Sequence, residues 1–443
     1  MIVAANSEDF AQQLRKYRER GRLTQTELAG LATMSVRAVR NLEQGQVAVP
    51  RRDTVRLLAD ALQLSARERV SFELASGREA GDALFDTLTM SPTEVGQPLR
   101  GRERELDAIL KRVLGEHGRI TAITGFGGVG KTRLAHAVAQ ELAALHGMPT
   151  LWVSLRQGTG DGGPDAEGYF RPDRIQKAWY HSVDELVAFS DDGIDQLVRL
   201  IGDRAVLLVL DGNDPGQVQH AAKWKMIRNC RNLRILETAR TPEGLPEEHR
   251  LALAPLPVAA RSAGRDEVTA SPAVALLLAL ITDAQSDFEP DETVLTVCAE
   301  VCRRLDGLPG ALEAAASWFM IVSAEEIGRM ARDEPHLLAT HPGDRVDLAT
   351  TVHEAIAAQP PRYRELLLRL ADWSGSWTVA MVVARIGIPW AQVARAVHVF
   401  LQCGLIAKVT PGGDNLVKFT VLNVIRAYLT RAPEAVASLR PVP

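Results

Sequence analysis

Apolar residues recur every three or four positions through the first 75 residues, which is the spacing of amphipathic helices. Phe10, Leu14 and Tyr17 share one face of a first predicted helix, and Gly21 marks its end. The segment TVRLLADAL, at 54–62, has the same spacing. The front of the chain is therefore predicted to be a small all-α domain.

Two shorter helices, separated by a tight turn, are predicted between these elements. Thr24 begins the first of them, and Glu27 completes the spacing of a capping box. Ser35 is the predicted N-cap of the second, SVRAVRNLEQG. Its inward face consists of Val36, Val39 and Leu42. Two short helices joined in this way have the geometry of a helix-turn-helix, although the pattern alone also fits a helical bundle with a solvated arginine face.

Short apolar runs alternate with helical patterns beyond residue 99. Four of these runs are predicted as buried strands, at 120–124, 150–155, 205–212 and 233–240. Since parallel strands need helical crossovers, the alternation predicts an α/β domain with a doubly wound parallel sheet. The longest apolar run, 273–281, is shorter than the ~20 residues that cross a bilayer, so it is predicted as a buried helix.

Composition places the chain among globular proteins of several domains, with 443 residues, 46% of them hydrophobic and 24% charged. The N-terminus lacks a basic segment followed by an apolar one, so we expect no signal peptide, no membrane partner and a cytoplasmic location. The net charge of −4 argues against a uniformly basic nucleic-acid binder. Residues 1–75 nevertheless carry +3 and the remainder −7, which is compatible with a small DNA-binding head.

Four cysteines in a chain of this length do not make a disulfide framework. Cys298 and Cys302 lie four residues apart on one predicted helix face. A zinc pair would need further Cys or His ligands, so core packing is the preferred interpretation.

The sequence GFGGVGKT at 125–132 lies between the first predicted strand and an amphipathic helix. It has the Walker A pattern, with Gly125, Gly130, Lys131 and Thr132 at the defining positions. The glycines let successive N–H groups point at phosphate oxygens, Lys131 reaches the β- and γ-phosphates, and Thr132 offers a hydroxyl to Mg²⁺. The segment therefore predicts binding of ATP or ADP with Mg²⁺.

Polar residues at the ends of two later strands extend this predicted site. Asp211 ends the third strand and is the expected Walker B carboxylate, which would hold Mg²⁺ through water. Arg240 ends the fourth, where a γ-phosphate sensor could lie. Thr132 and Asp211 are thus the predicted metal ligands, and Asp211 and Arg240 are predicted catalytic residues.

The segment LTQTELAGLATMSVRAVRNLEQGQVAVPRRDTVRLLADAL, at 23–62, resembles the XRE (Cro/phage-repressor-like) helix-turn-helix family. The matching motifs are Thr-Gln-x-Glu-Leu-Ala, Ser-x-Arg-x-Val-x-x-Leu-Glu-x-Gly and Leu-Ala-Asp-Ala-Leu. The resemblance implies that the helix after Ser35 enters the major groove, where Arg and Asn side chains suit guanine and adenine. The predicted DNA-contacting residues are Thr24, Gln25, Ser35, Arg37, Ala38, Arg40 and Asn41.

A second resemblance covers about residues 99–430. The segments GRERELDAIL, GFGGVGKT, LLVLDG, ILETAR, LALAPLP and VCRRLDGLPGALEAAASW follow the order of the NB-ARC/STAND class of signalling P-loop NTPases, in its bacterial AfsR-type or LuxR-type branch. The resemblance implies that Pro309 lies against adenine, that Arg102 borders base and ribose, and that a winged-helix domain closes the module. The predicted nucleotide-binding residues are Arg102, Gly125, Gly127, Gly128, Val129, Gly130, Lys131, Thr132, Arg133 and Pro309.

Several positions depart from that family. Gly310 stands where Leu is usual, and Val421, Leu422 and Asn423 occupy the Met-His-Asp position of the winged helix. Because Leu422 cannot donate a hydrogen bond to the β-phosphate of ADP, a family-type ADP lock is in doubt. Gly212, rather than a second acid, follows the Walker B carboxylate, so we expect at most slow, regulatory ATP hydrolysis. Asp214 stands where a related branch of the family has an acidic residue, so the resemblance makes it a further predicted catalytic residue, one that could position a water molecule.

The sequence is predicted to contain several domains. They are a helix-turn-helix domain at 1–76, a partly extended linker at 77–98, a P-loop domain at 99–255, a small helical domain at 256–342, a winged-helix domain at 343–431 and a tail at 432–443. The function favoured is an ATP-binding transcriptional regulator, in which nucleotide state controls homo-oligomerisation and binding of double-stranded DNA. The alternative is an NLR-like signalling or defence scaffold that recruits an effector. No internal repeat of about 34 to 45 residues is present, which leaves room for a separate sensor protein.

Overall fold

The fold is taken from a computed structural model. It describes residues 2–47, 49–77, 82, 85–86, 88–89, 99–115, 118–155, 191–213, 218–241, 244, 248–285, 287–341, 348–373, 375–409 and 416–431.

The N-terminal helices form a domain that we call the head. They are α1 (Ile2–Arg20), α2 (Gln25–Leu31), α3 (Val36–Glu43), α4 (Arg52–Ala61) and α5 (Ala66–Ala75). The predicted caps are present, since Thr24 and Glu27 form a reciprocal capping box and the Ser35 side chain accepts from the backbone N–H of Ala38. The Phe10 and Phe72 rings lie 4.6 Å apart in the core, which joins α1 to α5.

A five-stranded parallel sheet forms the next part, which we call the sheet domain. Its strands are β1 (Ile120–Thr124), β2 (Thr150–Ser154), β3 (Val206–Asp211), β4 (Leu233–Ala239) and β5 (Glu248–Ala252). Its helices are α6 (Glu103–Leu114), α7 (Lys131–His146), α8 (Asp191–Ile201) and α9 (His220–Asn229). The strand order is β2-β3-β4-β1-β5, and every neighbouring pair is parallel. The four predicted strands are confirmed, and the polar edge strand β5 joins them.

The segment predicted as a linker contributes to the core of the sheet domain. Its described residues include Phe85 and Leu88, which are helical and buried with the apolar side chains of α8, β2 and β3. The Arg204 guanidinium lies 4.7 Å from the centre of the Phe85 ring. This part of 77–98 therefore packs on the sheet, in contrast to the extended conformation that its low periodicity predicted.

Six helices form what we call the helical unit. They are α10 (Arg265–Ala270), α11 (Pro272–Ala284), α12 (Glu292–Arg304), α13 (Pro309–Trp318), α14 (Ala324–Asp333) and α15 (Pro335–Leu338). The apolar run 273–281 lies within α11 and is largely buried, as predicted. Cys298 and Cys302 are fully buried on α12, and burial raises the pKa of the Cys298 thiol to about 12, so both fill the core.

The last part, which we call the C-terminal unit, combines helices with a small antiparallel sheet. Its elements are α16 (Leu348–Ala357), α17 (Pro361–Ala371), α18 (Val379–Ile386), α19 (Trp390–Gln402), β6 (Ile406–Val409), β7 (Lys418–Val421) and α20 (Asn423–Arg431). Trp377 adds a bridge to Phe419 on the free side of β7. One apolar core connects this unit with the helical unit and with α6 and α7. No helix among the described residues is long and apolar enough to cross a membrane.

Candidate functional site

We call residues 125–132, which connect β1 to the start of α7, the phosphate loop. Gly125, Gly128 and Gly130 have φ angles of 144°, 74° and 98°, in the region that side chains with a Cβ rarely enter. The glycines of the Walker A pattern are thus required by the path of the backbone. Gly130 is also the N-cap of α7 and supplies no side-chain hydrogen bond to its first N–H groups, as an anion-binding helix terminus requires.

Lys131 is 6% exposed and lies along the loop. Its Nζ donates to the carbonyl oxygens of Gly125 and Phe126, at 2.9 Å each. The ammonium group is thereby held beside the loop backbone, within which the β- and γ-phosphates are predicted to bind.

Two further loop carbonyls are bonded by groups outside the loop. The backbone N–H of Gly310, at the start of α13, donates to the Gly128 oxygen at 2.8 Å. The buried guanidinium of Arg102 donates to the Val129 oxygen at 3.3 Å and to the Ala254 oxygen at 2.7 Å. Because these carbonyls already have protein donors, the loop presents a donor-rich backbone to an anion.

Thr132 and Asp211, the two predicted metal ligands, meet at the end of β3. The Thr132 hydroxyl donates to Asp211 Oδ1 at 2.7 Å, and the Thr238 hydroxyl donates to the same oxygen at 2.6 Å. Thr238 also accepts from the backbone N–H of Gly212 at 2.9 Å. The available donors are hydroxyl and carboxylate oxygens, which suit Mg²⁺ bound together with phosphate.

Thr238 was missed by the sequence reasoning. It lies on β4 opposite Asp211 in the register of the parallel pair. The signal was available once β3 and β4 were predicted as neighbours, because parallel strands end at the same edge of the sheet.

The other predicted site residues lie in different surroundings. Arg240 forms an ion pair with Glu354 of α16, in the C-terminal unit. Arg133 lies near Glu313 of α13 and, by its charge, opposes the rise that burial causes in the pKa of that carboxyl. Pro309 begins α13, and its Cγ lies 3.9 Å from where a Cβ on Gly130 would stand. Asp214 lies outside the described residues.

The C-terminal unit contacts the outside of the phosphate loop at two points. A Cβ on Gly127 would lie 2.3 Å from Cγ2 of Thr351 on α16. A Cβ on Gly404, which follows α19, would lie 2.7 Å from the backbone nitrogen of Phe126. Three parts of the chain therefore meet at this loop, namely the sheet domain, the helical unit and the C-terminal unit.

Leu422 and Asn423 occupy the position at which the family lock was in doubt. Leu422 is buried, and Asn423 donates its side-chain amide to the carbonyl of Arg303 at 3.0 Å. The carboxylate of Asp306 accepts from the backbone N–H of Val424 at 3.0 Å and so caps α20. Burial raises the pKa of Asp306 to about 7, although hydrogen bonds from the backbone N–H groups of Val424 and Asn423 act to lower it. Two hydrogen bonds between protein groups thus connect the helical unit and the C-terminal unit here.

The head presents α3 to solvent in the manner predicted. Val39 and Leu42 are buried and Val36 packs partly buried against them, whereas Arg37 and Arg40 are exposed. Ala38 and Asn41 are half-buried beside these arginines. The solvent-exposed face of α3 therefore carries two arginine side chains.

Three predicted DNA contacts also have structural roles within the head. Thr24 and Ser35 are N-caps, and the side-chain amide of Gln25 donates to Glu43 at 2.7 Å. Glu43 also accepts from Arg18 of α1 at 2.6 Å. These bonds fix α3 against α1 and α2, which orients the exposed arginines.

Comparison with known families agrees with this description of the head. Residues 9–72 match the family model described as a helix-turn-helix domain. The N-terminal domain is accordingly a helix-turn-helix domain.

The chain is similar to two proteins of Mycobacterium tuberculosis. It is 29% identical over 282 residues to an uncharacterized protein, covering 62% of this chain and 66% of the relative. It is 28% identical over 285 residues to a "Putative HTH-type transcriptional regulator", covering 62% of this chain and 29% of that protein. The chain thus spans less than two thirds of the length of either relative.

Among solved structures, the chain is similar to a Signal Transduction ATPase with Numerous Domains from Pyrococcus horikoshii, which has a tetratricopeptide repeat sensor. The identity is 15%, the match covers 80% of this chain and 45% of the other, and the TM-score is 0.29.

Proposed function

We propose that this protein is a nucleotide-dependent, DNA-binding transcriptional regulator. The observation that carries the proposal is that one chain contains both a helix-turn-helix domain and a loop of the Walker A pattern, in which Lys131 bonds a loop carbonyl and Thr132 bonds Asp211. In this proposal the head is of the XRE type, the sheet and helical parts form an NB-ARC/STAND module, and the C-terminal unit is its winged helix.

In the proposed site, the backbone N–H groups of the phosphate loop and of the start of α7 bind the phosphates of ATP or ADP. Lys131 exchanges its bonds to loop carbonyls for bonds to phosphate oxygens. Thr132 and Asp211 hold Mg²⁺, which when bound neutralises phosphate charge. Arg102 is occupied by Val129 and Ala254, so it supports the loop rather than the base.

Hydrolysis in this site is proposed to be slow. Gly212 follows Asp211 and offers no carboxylate to activate water, and Arg240 is engaged with Glu354. Efficient phosphoryl transfer needs both an oriented nucleophile and a cation at the developing charge. The nucleotide therefore acts as a bound signal more than as a substrate.

The contacts that other parts of the chain make with the phosphate loop can transmit the effect of nucleotide binding to those parts. Gly310, Thr351 and Gly404 all lie against the loop backbone, so a change in loop shape alters the seating of the helical and C-terminal units. We propose that ATP loosens this packing and permits self-association. Several linked heads then bind DNA more tightly than one, through effective concentration.

DNA binding to genomic fragments in the presence of ATP and of ADP, each with Mg²⁺, tests the proposal. We expect tighter binding and a larger mass with ATP, and loss of this difference in Lys131→Ala, which should no longer bind nucleotide. Arg37→Ala should weaken DNA binding with either nucleotide, because it removes an exposed cation of α3. Arg15→Ala, an exposed arginine of α1, is the matched control and should bind normally.

Equal DNA affinity and equal mass in the two nucleotide states would refute the regulator. If ATP raised the mass of the protein assembly without changing its affinity for DNA, the protein would be an NLR-like scaffold instead. Unchanged ATP affinity in Lys131→Ala would refute the nucleotide site itself.

A further inference from the structure

A cavity of about 280 Å³ lies between the helical unit and the C-terminal unit, away from the phosphate loop. Its floor is apolar and is formed by Leu305, Ala339, Val352 and Val424, all of them buried. The volume is just below the usual range of ligand pockets, roughly 300–1,000 Å³. It can therefore hold the apolar body of a small molecule.

The mouth of the cavity is polar and positively charged. Arg304 and Tyr428 are partly exposed there, and His336 is exposed. Arg304 uses its Nε for Glu300, and the same carboxylate also pairs with Arg303 and, at 4.0 Å, with Arg261, so three guanidinium groups share one negative charge. Among the described residues, the terminal nitrogens of Arg304 have no hydrogen-bond partner, and a ligand carboxylate would supply one.

One helix connects this cavity to the phosphate loop. On α16, Val352 and Ala349 line the cavity. The neighbouring positions Thr351 and Glu354 contact Gly127 and Arg240 of the sheet domain. A ligand that fixes α16 from one side therefore also fixes its contacts with the phosphate loop on the other.

We propose that this cavity binds a small monocarboxylate with an apolar body, such as a medium-chain fatty acid or a fused-ring aromatic acid. The carboxylate lies at Arg304 and the apolar body between α12, α15, α16 and α20. Occupancy stabilises the seating of the C-terminal unit on the phosphate loop and so slows nucleotide release. The binding step is independent of the proposed function, whereas the effect on nucleotide release rests on it.

Titration calorimetry of the full chain with octanoate and with 2-naphthoate tests the binding step. We expect saturable binding of at least one acid, with 1-octanol binding more weakly than octanoate. Ala349→Leu fills the cavity and should abolish binding, while Ala357→Leu, at an exposed position of the same helix, should not. Arg304→Gln should weaken acid binding roughly tenfold, and Arg329→Gln, an exposed arginine of α14, should leave it unchanged.

Failure of both acids to bind would overturn the proposal, as would binding that persists unchanged in Ala349→Leu and Arg304→Gln. The coupling is measured by the release of fluorescent ADP with and without the bound acid, and equal rates would overturn that step alone. Lys131→Ala should still bind the acid. Loss of nucleotide binding in that variant, with acid binding intact, would show that acid binding in the cavity does not depend on the proposed nucleotide site.

Discussion

The surroundings of Asp211 show how single side chains orient a predicted magnesium ligand before the ion binds. Its Oδ1 accepts from two threonine hydroxyls, one on the phosphate loop and one on the neighbouring strand β4. Because both donors hold the same oxygen, the orientation of the carboxylate is fixed. A fixed carboxylate costs less conformational entropy when a cation binds.

Thr238→Val should impair Mg²⁺-dependent ATP binding. The change keeps the shape but removes the hydroxyl that orients Asp211 and accepts from the Gly212 N–H. We expect ATP affinity in Mg²⁺ to fall by roughly tenfold and affinity in chelator to change little. Thr238→Ser keeps the hydroxyl and should retain affinity. Equal losses in the two variants, or a loss that is independent of Mg²⁺, would contradict a positioning role.

At the level of residues, the sequence marks positions that a local spacing defines and does not mark residues that meet through long-range contacts. Gly125, Lys131 and Thr132 were assigned from eight consecutive letters, because the Walker A spacing is local, and the φ of 144° at Gly125 agrees with the glycine at that position. The buried ion pair of Lys223 with Glu237, at 2.5 Å, gave no such signal, since a lysine in a helix is normally solvated.

At the scale of elements, the same distinction holds. The strands before the phosphate loop and through Asp211 were predictable because strands buried on both faces read as continuous apolar runs. Phe85 and Leu88 were assigned to a linker, since two apolar residues in a polar segment do not reveal that a sheet lies nearby to bury them. The start of α20 likewise depends on a cap from a distant segment.

Asp306→Asn should remove a pH dependence of stability that arises at that cap. The pKa of Asp306 is about 7 in the folded chain, above its ordinary value of 3.8. The folded chain thus binds the proton more tightly, so the stability contributed by protonated Asp306 is complete below about pH 4 and is lost as pH rises to 7. The asparagine introduced in this variant stays neutral, tolerates the φ of 55° and can still accept from Val424.

Thermal unfolding at pH 5 and pH 8 measures this effect. The variant should exceed the unsubstituted protein in stability at pH 8 by on the order of 1–2 kcal/mol, with a smaller difference at pH 5. Asp287→Asn, at an exposed loop position, serves as the control and should follow the original pH profile. Identical pH profiles for Asp306→Asn and the original protein would show that the carboxyl does not titrate in this range.

At the scale of the whole molecule, the phosphate loop is the point where three parts of the chain meet. Its inner surface is proposed to bind nucleotide, while its outer surface carries Gly310, Thr351 and Gly404. The sequence predicted the position of the loop but not the segments that pack against it. A close approach of two backbones is visible in the sequence only as a glycine. An interdomain contact made by glycines is sensitive to a single added methyl group.

Gly404→Ala should therefore separate the C-terminal unit from the phosphate loop. The new Cβ would lie 2.7 Å from the Phe126 nitrogen, a backbone atom that cannot rotate away. Gly387→Ala is the matched control, since Gly387 also has a left-handed φ, of 76°, but has open space around it. Both variants bear the local cost of about 1–2 kcal/mol for a left-handed alanine.

Only Gly404→Ala also introduces a steric clash between the C-terminal unit and the phosphate loop. We expect it to increase the radius of gyration in solution scattering and to speed the release of bound ADP several-fold, while Gly387→Ala does neither. Lys131 and the rest of the nucleotide-binding set are unchanged in both variants, so a difference between them reports the interdomain contact alone. If the two variants behaved alike, the contact would have no part in holding the nucleotide, and the coupling proposed through the outer surface of the loop would be wrong.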